Sequence, residues 1–140
     1  MSGRFFLDTN IFVYSFDAQQ ATKARKAALL IQRAVDTGAG VISYQVVQEF
    51  FNVAFRRFSP TMTGAEAEEY LSIVFRPLLA VHSSPALYFA ALRIKSQNRI
   101  GWYDSLMIAA ALESGCDILY SEDLQHGQKI DDLRIQNPFV

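Results

Sequence analysis

Four carboxylates, those of Asp8, Glu49, Asp104 and Asp123, lie beside apolar runs in a way that predicts a shared location. Asp8 and Asp123 each follow a short apolar run, which is typical of a buried strand that ends in a polar turn. Asp104 precedes a long apolar run, and Glu49 lies on the polar stripe of a predicted helix. The other members of that stripe are Gln45, Gln48, Asn52 and Arg56.

A cluster of four carboxylates is the kind of site that binds a divalent cation. Two like charges about 5 Å apart repel by roughly 3 kcal/mol at an effective dielectric near 20, and a cation removes that repulsion. Ligands that are all oxygen favour Mg²⁺ or Mn²⁺ over zinc or copper. Such an ion lowers the pKa of a bound water and stabilises the oxyanions of an attack on phosphorus. The carboxylates therefore predict metal-dependent hydrolysis of a phosphate ester.

Short apolar runs alternate with stretches of helical spacing along the whole chain. Parallel strands need crossover connections and helices supply them, so the alternation predicts an α/β fold. We expect one domain over residues 1–140, a three-layer α/β/α sandwich with a central, mostly parallel sheet. The predicted strands are 5–7, 40–42, 78–81 and 118–120, with a short fifth at 133–135. The predicted helices are 22–37, 44–58, 64–75, 85–95 and 105–113, with a polar turn at 8–10 and boundaries at Pro60 and Pro77.

Each acid also has a purely structural explanation. Asp8 and Asp104 suit helix N-caps, where a side-chain oxygen that accepts a backbone N–H bond contributes about 1 kcal/mol. Asp123 suits a turn, and Glu49 suits a solvated helix face. The combination nevertheless favours a functional site, because sites in parallel sheets gather at the carboxyl ends of the strands, where Asp8 and Asp123 are both predicted.

Four segments, each holding one of the acids, resemble the acidic motifs of PIN-domain ribonucleases, in the same order and nearly from end to end of the chain. They are FFLDTN at 5–10, QEF at 48–50, WYDSLMIAAA at 102–111 and LYSEDL at 119–124. The chain is similar to VapC-type toxins of toxin–antitoxin systems. That resemblance implies single-stranded or structured RNA as substrate, dependence on Mg²⁺ or Mn²⁺, a homodimer, and a cognate antitoxin whose peptide blocks the cleft.

Carried over residue by residue, the resemblance makes Asp8, Glu49 and Asp104 ligands of the metal. Asp123 follows a serine, as the family's last acid does, but the choice between Asp123 and the neighbouring Glu122 as a direct ligand stays open. Asn10 and Ser121 match positions that orient the acids rather than bind the metal. The polar loop at 96–101 falls where relatives vary and leaves the choice of RNA open.

Three further side chains are candidates for contact with RNA. Asn52 and Arg56 share the polar stripe with Glu49, and His126 lies close to the fourth segment, where it is also a candidate proton donor. Each has a structural alternative, since an arginine near the end of a helix also complements the helix dipole.

Two other classes of function stay open. A phosphotransfer or phosphatase-type α/β domain also places an aspartate such as Asp8 after its first strand. The phosphatase needs a second acid two positions on, where Asn10 stands, and a receiver-type domain needs a late lysine, for which Lys129 is the only candidate. The other class is a catalytically silent module that binds RNA or protein, against which the retention of all four acids speaks.

The composition limits the class of protein. At 140 residues and 51% hydrophobic, the chain can bury a core without disulfides, and its lone cysteine, Cys116, is expected to be a small core residue in a reducing cytoplasm. The longest strongly apolar stretch, 106–112, is far shorter than the roughly 20 residues of a membrane span, and no signal peptide is recognisable. A net charge of -1 argues against a broad electrostatic grip on nucleic acid, although bound cations reverse the sign of an acidic cleft locally.

Overall fold

The computed structural model describes residues 2–140 and is built around one sheet of six strands. The strands are β1 (Phe5–Leu7), β2 (Gly40–Ser43), β3 (Leu79–Val81), β4 (Ile118–Tyr120), β5 (Lys129–Ile130) and β6 (Leu133–Gln136). They run across the sheet in the order β3-β2-β1-β4-β6-β5. All neighbouring pairs are parallel except β5 with β6, which confirms the expected mostly parallel sheet.

The helices that connect these strands supply the crossovers. They are α1 (Thr9–Tyr14), α2 (Ala21–Thr37), α3 (Tyr44–Arg56), α4 (Gly64–Tyr70), α5 (Arg76–Leu78), α6 (Pro85–Gln97) and α7 (Trp102–Glu113). Right-handed crossovers from β1 to β2 and from β2 to β3 place α2 and α3 on one face of the sheet. The return crossover from β3 to β4 places α6 and α7 on the other face, which completes three layers.

The centre of the sheet is the most deeply buried part of the molecule. Every residue of β1 and β2 is buried, as parallel strands covered on both faces require. Gly38 ends α2 in the left-handed conformation that favours glycine, and the chain returns directly into β2. At Gly40 a side chain would collide with Ala34 of α2, so a glycine is needed for the close approach of helix and strand.

Several predicted boundaries were wrong in ways that have a physical reason. The polar turn predicted at 8–10 is the beginning of α1, with Asp8 as its N-cap. The helix predicted from 105 begins at Trp102, because the extended Gly101 is its N-cap, so Asp104 lies in the first turn and is not itself the cap. Pro77 does not end the preceding helical segment, since it occupies the first turn of α5, where no N–H is required of it.

Smaller differences lie away from the acids. The helix predicted at 64–75 is α4 followed by a wider, π-helical turn, Leu71–Phe75. The two-residue β5 was not predicted, because a run so short carries no periodicity. Cys116 is buried, as expected. Over residues 2–140, none of the helices has the length and apolar character that a membrane crossing requires.

Candidate active site

Asp8 lies at the carboxyl end of β1, the strand at which the order of the sheet changes direction. In the sheet, β2 lies on one side of β1 and β4 lies on the other, so the chain connections leave β1 in opposite directions. Such a switch point leaves a crevice at the carboxyl ends of the strands. The Asp8 side chain is only 6% exposed. Its Oδ1 accepts the backbone N–H of Thr9 at 2.6 Å, and its Oδ2 accepts the hydroxyl of Ser121 at 2.7 Å.

The loop after β4 brings Asp123 to the same crevice. The buried Ser121 is the first residue of this loop, and its hydroxyl oxygen accepts the backbone N–H of Asp123 at 3.2 Å. The side-chain amide of Asn10 donates to Asp123 Oδ2 at 2.8 Å. Asn10 therefore binds Asp123 from α1, and Ser121 binds both Asp8 and Asp123 from the loop after β4.

Glu49 enters the crevice from the second turn of α3, which begins at the carboxyl end of β2. Its two carboxylate oxygens have different partners. The hydroxyl of Thr9 donates to Oε1 at 2.6 Å, and the side-chain amide of Gln45 donates to Oε2 at 3.2 Å. The same amide also donates to the backbone carbonyl of Tyr103 at 3.2 Å, so the buried Gln45 ties α3 to the first turn of α7.

Asp104 reaches the crevice because of the direction of α7. This helix leads into β4 and so runs antiparallel to it, which puts the N-terminus of α7 at the carboxyl edge of the sheet. Asp104 lies in the first turn, where the positive end of the helix dipole stabilises a carboxylate. The next residue, Ser105, is buried, and its hydroxyl donates to the carbonyl of Gly101. This bond stabilises the start of the helix.

The four acids line one cleft of about 300 Å³. The complete lining comprises Asp8, Thr9, Asn10, Gln45, Glu49, Asn52, Val53, Tyr103, Asp104, Met107 and Asp123. A larger hollow of about 460 Å³ runs along residues 95–100, but it is formed by one surface segment and holds none of the four acids. The chemistry of the lining therefore identifies the smaller cleft as the candidate active site.

Burial and neighbouring charge alter the ionisation of two acids of the cleft. The pKa of Asp8 is raised to about 7, mainly by burial and also by the charges of Asp123 and Glu49, while hydrogen bonds from Ser121 and Thr9 oppose the rise. Burial also raises the pKa of Asp104, again with contributions from Asp123 and Glu49. The cleft thus concentrates negative charge that a cation would neutralise.

The lining fits a hard divalent cation. All of its charged groups are carboxylates, and a positive ion would offset both the burial and the like charges that raise the pKa of Asp8 and Asp104. Within residues 2–140, no three acidic, histidine or cysteine side chains stand close enough together to enclose one ion by themselves. A hard divalent cation held here would therefore need water or a ligand to complete its shell.

The other candidate residues differ in whether they line the cleft. Asn52, a candidate for contact with RNA, lines the cleft, whereas Arg56 is exposed one turn further along α3 and does not line it. His126 lies outside the lining, and its Nδ1 accepts the backbone N–H of Asn137. Glu122 points away from the acids and forms an ion pair with Lys23 at 2.7 Å, so Asp123 is the acid of this loop that faces the cleft.

Sequence reasoning missed three polar members of the lining, Thr9, Gln45 and Tyr103, and two apolar ones, Val53 and Met107. Thr9 and Gln45 both bind Glu49, and Tyr103 lines the cleft beside Asp104. A signal was available for Gln45, which precedes Glu49 by four positions and so shares its helix face. For Thr9 the only signal was adjacency to Asp8, which does not reveal a partner 40 positions away.

Fold and cleft together define an α/β/α domain with an acidic cleft at the switch point of a parallel sheet. The family model for the PIN domain matches residues 5–130, and the chain therefore belongs to the PIN domain family. No curated protein matches the sequence.

Two solved structures share the fold at low sequence identity. One is VapBC2 from Rickettsia felis, bound to a DNA fragment from its promoter, with 20% identity and a TM-score of 0.59 over 95% of this chain and 97% of that chain. The other is VapC20 from Mycobacterium tuberculosis, described as a sarcin-ricin loop cleaving toxin. It has 18% identity and a TM-score of 0.58 over 84% of this chain and 88% of that chain.

Proposed function

We propose that this chain is a divalent-metal-dependent endoribonuclease and the toxin of a toxin–antitoxin pair. The observation that carries the proposal is the convergence of four carboxylates, from four separate segments, on one cleft with no other charged lining among residues 2–140. The similarity of fold to a toxin described as cleaving the sarcin-ricin loop supports RNA as the substrate class.

In this proposal the four acids hold Mg²⁺ or Mn²⁺ together with water and substrate phosphate, and Asp8 and Asp104 are the principal ligands. When bound, the ion would lower the pKa of a water molecule and stabilise negative charge on the phosphate. Polar groups of the chain hold the carboxylates in position. Thr9 and Gln45 hold the Glu49 carboxylate, while Ser121 and the backbone N–H of Thr9 hold Asp8.

The partners follow from the same proposal. We infer a cognate antitoxin, since the Rickettsia felis structure of similar fold is a VapBC complex, and cytoplasmic action on cellular RNA. We also infer a homodimer. Tyr88, Phe89 and Leu92 on α6 are 39%, 69% and 52% exposed, an apolar face of the kind that a second copy covers. Light scattering at micromolar concentration that returned only 15.8 kDa would contradict the dimer.

The structure offers little to the phosphotransfer alternative. Both carboxylate oxygens of Asp8 are already hydrogen bonded in a nearly buried setting, and the position where a phosphatase needs its second acid holds Asn10, whose amide binds Asp123. Phosphorylation of Asp8 by a small phosphodonor would support the phosphotransfer function.

The deciding experiment is the cleavage of total cellular RNA by the purified protein with Mg²⁺, with Mn²⁺ or with EDTA, followed by mapping of the fragment ends. We expect discrete cuts that need the metal and are lost in Asp8→Asn and Asp104→Asn. The matched control is Asp131→Asn, which removes the same charge from an exposed turn between β5 and β6.

The outcomes separate the classes of function. Cleavage that survives in Asp8→Asn would trace the activity to a contaminant. A well-folded protein that binds RNA but does not cut it with either metal would favour the catalytically silent module.

A further inference from the structure

The acidic cleft has no basic side chain with which to attract RNA. Its lining, within residues 2–140, contains no lysine, arginine or histidine, and the chain as a whole carries a net charge of -1. Most proteins obtain their affinity for nucleic acid by pairing such cations with phosphates. If the proposed function is correct, other contacts in this cleft must contribute a large part of the affinity for RNA.

Tyr103 is the aromatic side chain of the cleft lining. It is 66% exposed, and it directly precedes Asp104 in the first turn of α7. Its backbone is held by the bond that its carbonyl accepts from the side-chain amide of Gln45. An exposed ring on an anchored backbone is well placed to receive a ligand, because little of the surrounding structure has to move.

The neighbouring aromatic residue faces a different way. Trp102 is only partly exposed and stacks on Tyr88 with ring centroids 6.4 Å apart and planes inclined by 24°. Trp102 therefore serves the packing of α7 on α6, whereas Tyr103 belongs to the lining of the cleft that holds the acids. Because Asp104 is the next residue, an RNA strand bound at that acid would pass close to Tyr103.

We propose that Tyr103 is the residue of this cleft on which an unpaired RNA base stacks, next to the scissile phosphate. A base on an aromatic ring contributes about 1–3 kcal/mol, equivalent to about 5- to 150-fold in Kd. Only an unstacked base is free to make this contact, since a base within a duplex is already stacked on its neighbours. This inference rests on the proposed function and names the substrate feature that the site recognises.

The test measures binding separately from cleavage. Protein carrying Asp8→Asn, which is expected not to cut, is titrated into a fluorescently labelled single-stranded RNA and into a hairpin whose bases are paired, with Mg²⁺ present. In that background we expect Tyr103→Ala to weaken binding of the single strand about 5- to 150-fold, and Tyr103→Phe to stay within about twofold of the parent. We expect little change for the hairpin.

Phe55→Ala is the control, because Phe55 is an exposed aromatic residue, at 47%, that neither lines the cleft nor belongs to the apolar face of α6. It should leave binding of the single strand unchanged. The dependence of Kd on salt gives a second readout. With so few cations at the cleft, the slope should be shallow, and Tyr103→Ala should leave it unchanged, because stacking releases no counterions.

Three results would overturn the inference. The first is a Tyr103→Ala protein that binds the single strand as tightly as the parent. The second is a Tyr103→Leu protein that binds as tightly as the parent, because the contact would then depend on apolar area and not on an aromatic ring. The third is a Tyr103→Ala protein that becomes monomeric in light scattering and loses RNA binding for that reason, which would mean that a second copy covers the ring.

The failure of this inference is distinguishable from the failure of the proposed function. If the wild-type chain cuts RNA with Mg²⁺ and Tyr103→Ala cuts with the same kcat/KM, the nuclease stands and the stacking platform fails. If the wild-type chain does not cut but its binding of single-stranded RNA depends on Tyr103, the platform stands and the nuclease fails.

Discussion

The hydroxyl of Ser121 donates to Asp8 Oδ2 at 2.7 Å, although 113 positions separate the two residues. The bond joins the carboxyl ends of β1 and β4, and it opposes the rise in the pKa of Asp8 that burial causes. Because the bond favours the charged form of Asp8, it helps to keep this buried acid available as a ligand.

Removal of that hydroxyl is expected to affect Asp8 more than the fold. In Ser121→Ala the pKa of Asp8 should rise further, and stability above that pKa should fall by about 1–3 kcal/mol, as for a lost hydrogen bond to a charged group. NMR titration of Asp8 and urea unfolding measure the two effects.

Ser43→Ala is the matched control for Ser121→Ala. Ser43 is also fully buried at the carboxyl end of a strand beside β1, but its hydroxyl has no hydrogen-bond partner among the described residues. Its removal should therefore change the free energy of unfolding by less than about 0.5 kcal/mol or increase it. Equal losses in both variants would show that the Ser121 bond has no special effect on Asp8.

The stability of the metal-free protein should fall as pH rises through the range set by Asp8. Its pKa is about 7 in the folded chain against a usual value of 3.8, so the folded state binds more protons than the unfolded state between these values. In that range stability decreases with pH, by about 3 kcal/mol between about pH 5 and pH 8 for this group.

Urea unfolding in EDTA at the two pH values measures this loss. Asp8→Asn should be more stable than the wild type at pH 8 and should lose less stability between the two values. Mg²⁺ should also reduce the loss in the wild type, because a bound cation stabilises the ionised form. A wild-type protein that is more stable at pH 8 than at pH 5 in EDTA would contradict the raised pKa of Asp8.

Gln45 is expected to act on activity through Glu49 and the start of α7. In Gln45→Ala both bonds from the amide are lost, and activity with Mg²⁺ should fall about 10- to 100-fold, the range typical of residues that orient metal ligands. Isothermal titration of Mg²⁺ should show weaker binding, which a purely structural role would not require. Gln48→Ala, on the exposed side of the same helix, should keep both values.

The adjacent acids Glu122 and Asp123 should behave differently when neutralised. Glu122 binds Lys23 and accepts the hydroxyl of Tyr14 at 2.8 Å, so Glu122→Gln should cost less than about 1 kcal/mol of stability, as exposed ion pairs do, and leave cleavage nearly intact. Asp123→Asn should reduce cleavage strongly because its charge faces the cleft. A greater loss of cleavage in Glu122→Gln would reverse this assignment.

The sequence was sufficient to predict the sheet and the meeting of the acids, because both depend on patterns that local physics imposes. Apolar runs followed by Asp8 or Asp123 mark strand ends, and the carboxyl ends of parallel strands lie on one edge. The partners of the acids depend instead on the angles at which helices cross the sheet. The bond from Thr9 to Glu49 joins α1 to α3, and no spacing along the chain reveals it.

The opposite directions of Glu122 and Asp123 were equally beyond sequence reasoning. Both acids lie in one loop, and which of them faces the cleft is decided by contacts with distant residues, Lys23 for one and Asn10 for the other. The start of α7 was misplaced for a local reason. A glycine such as Gly101 is a weak signal for an N-cap, and the aspartate three positions later looked like a stronger one.

The position of β1 between β2 and β4 also determines when the cleft can be completed during protein synthesis. After Asp8 has been added to a growing chain, β1 lacks one of its two neighbours and Asp8 lacks Ser121 until more than a hundred further residues have followed. At about 5–20 residues per second, this interval is on the order of ten seconds. A ribosome making this protein thus carries an incomplete acidic cleft throughout that interval.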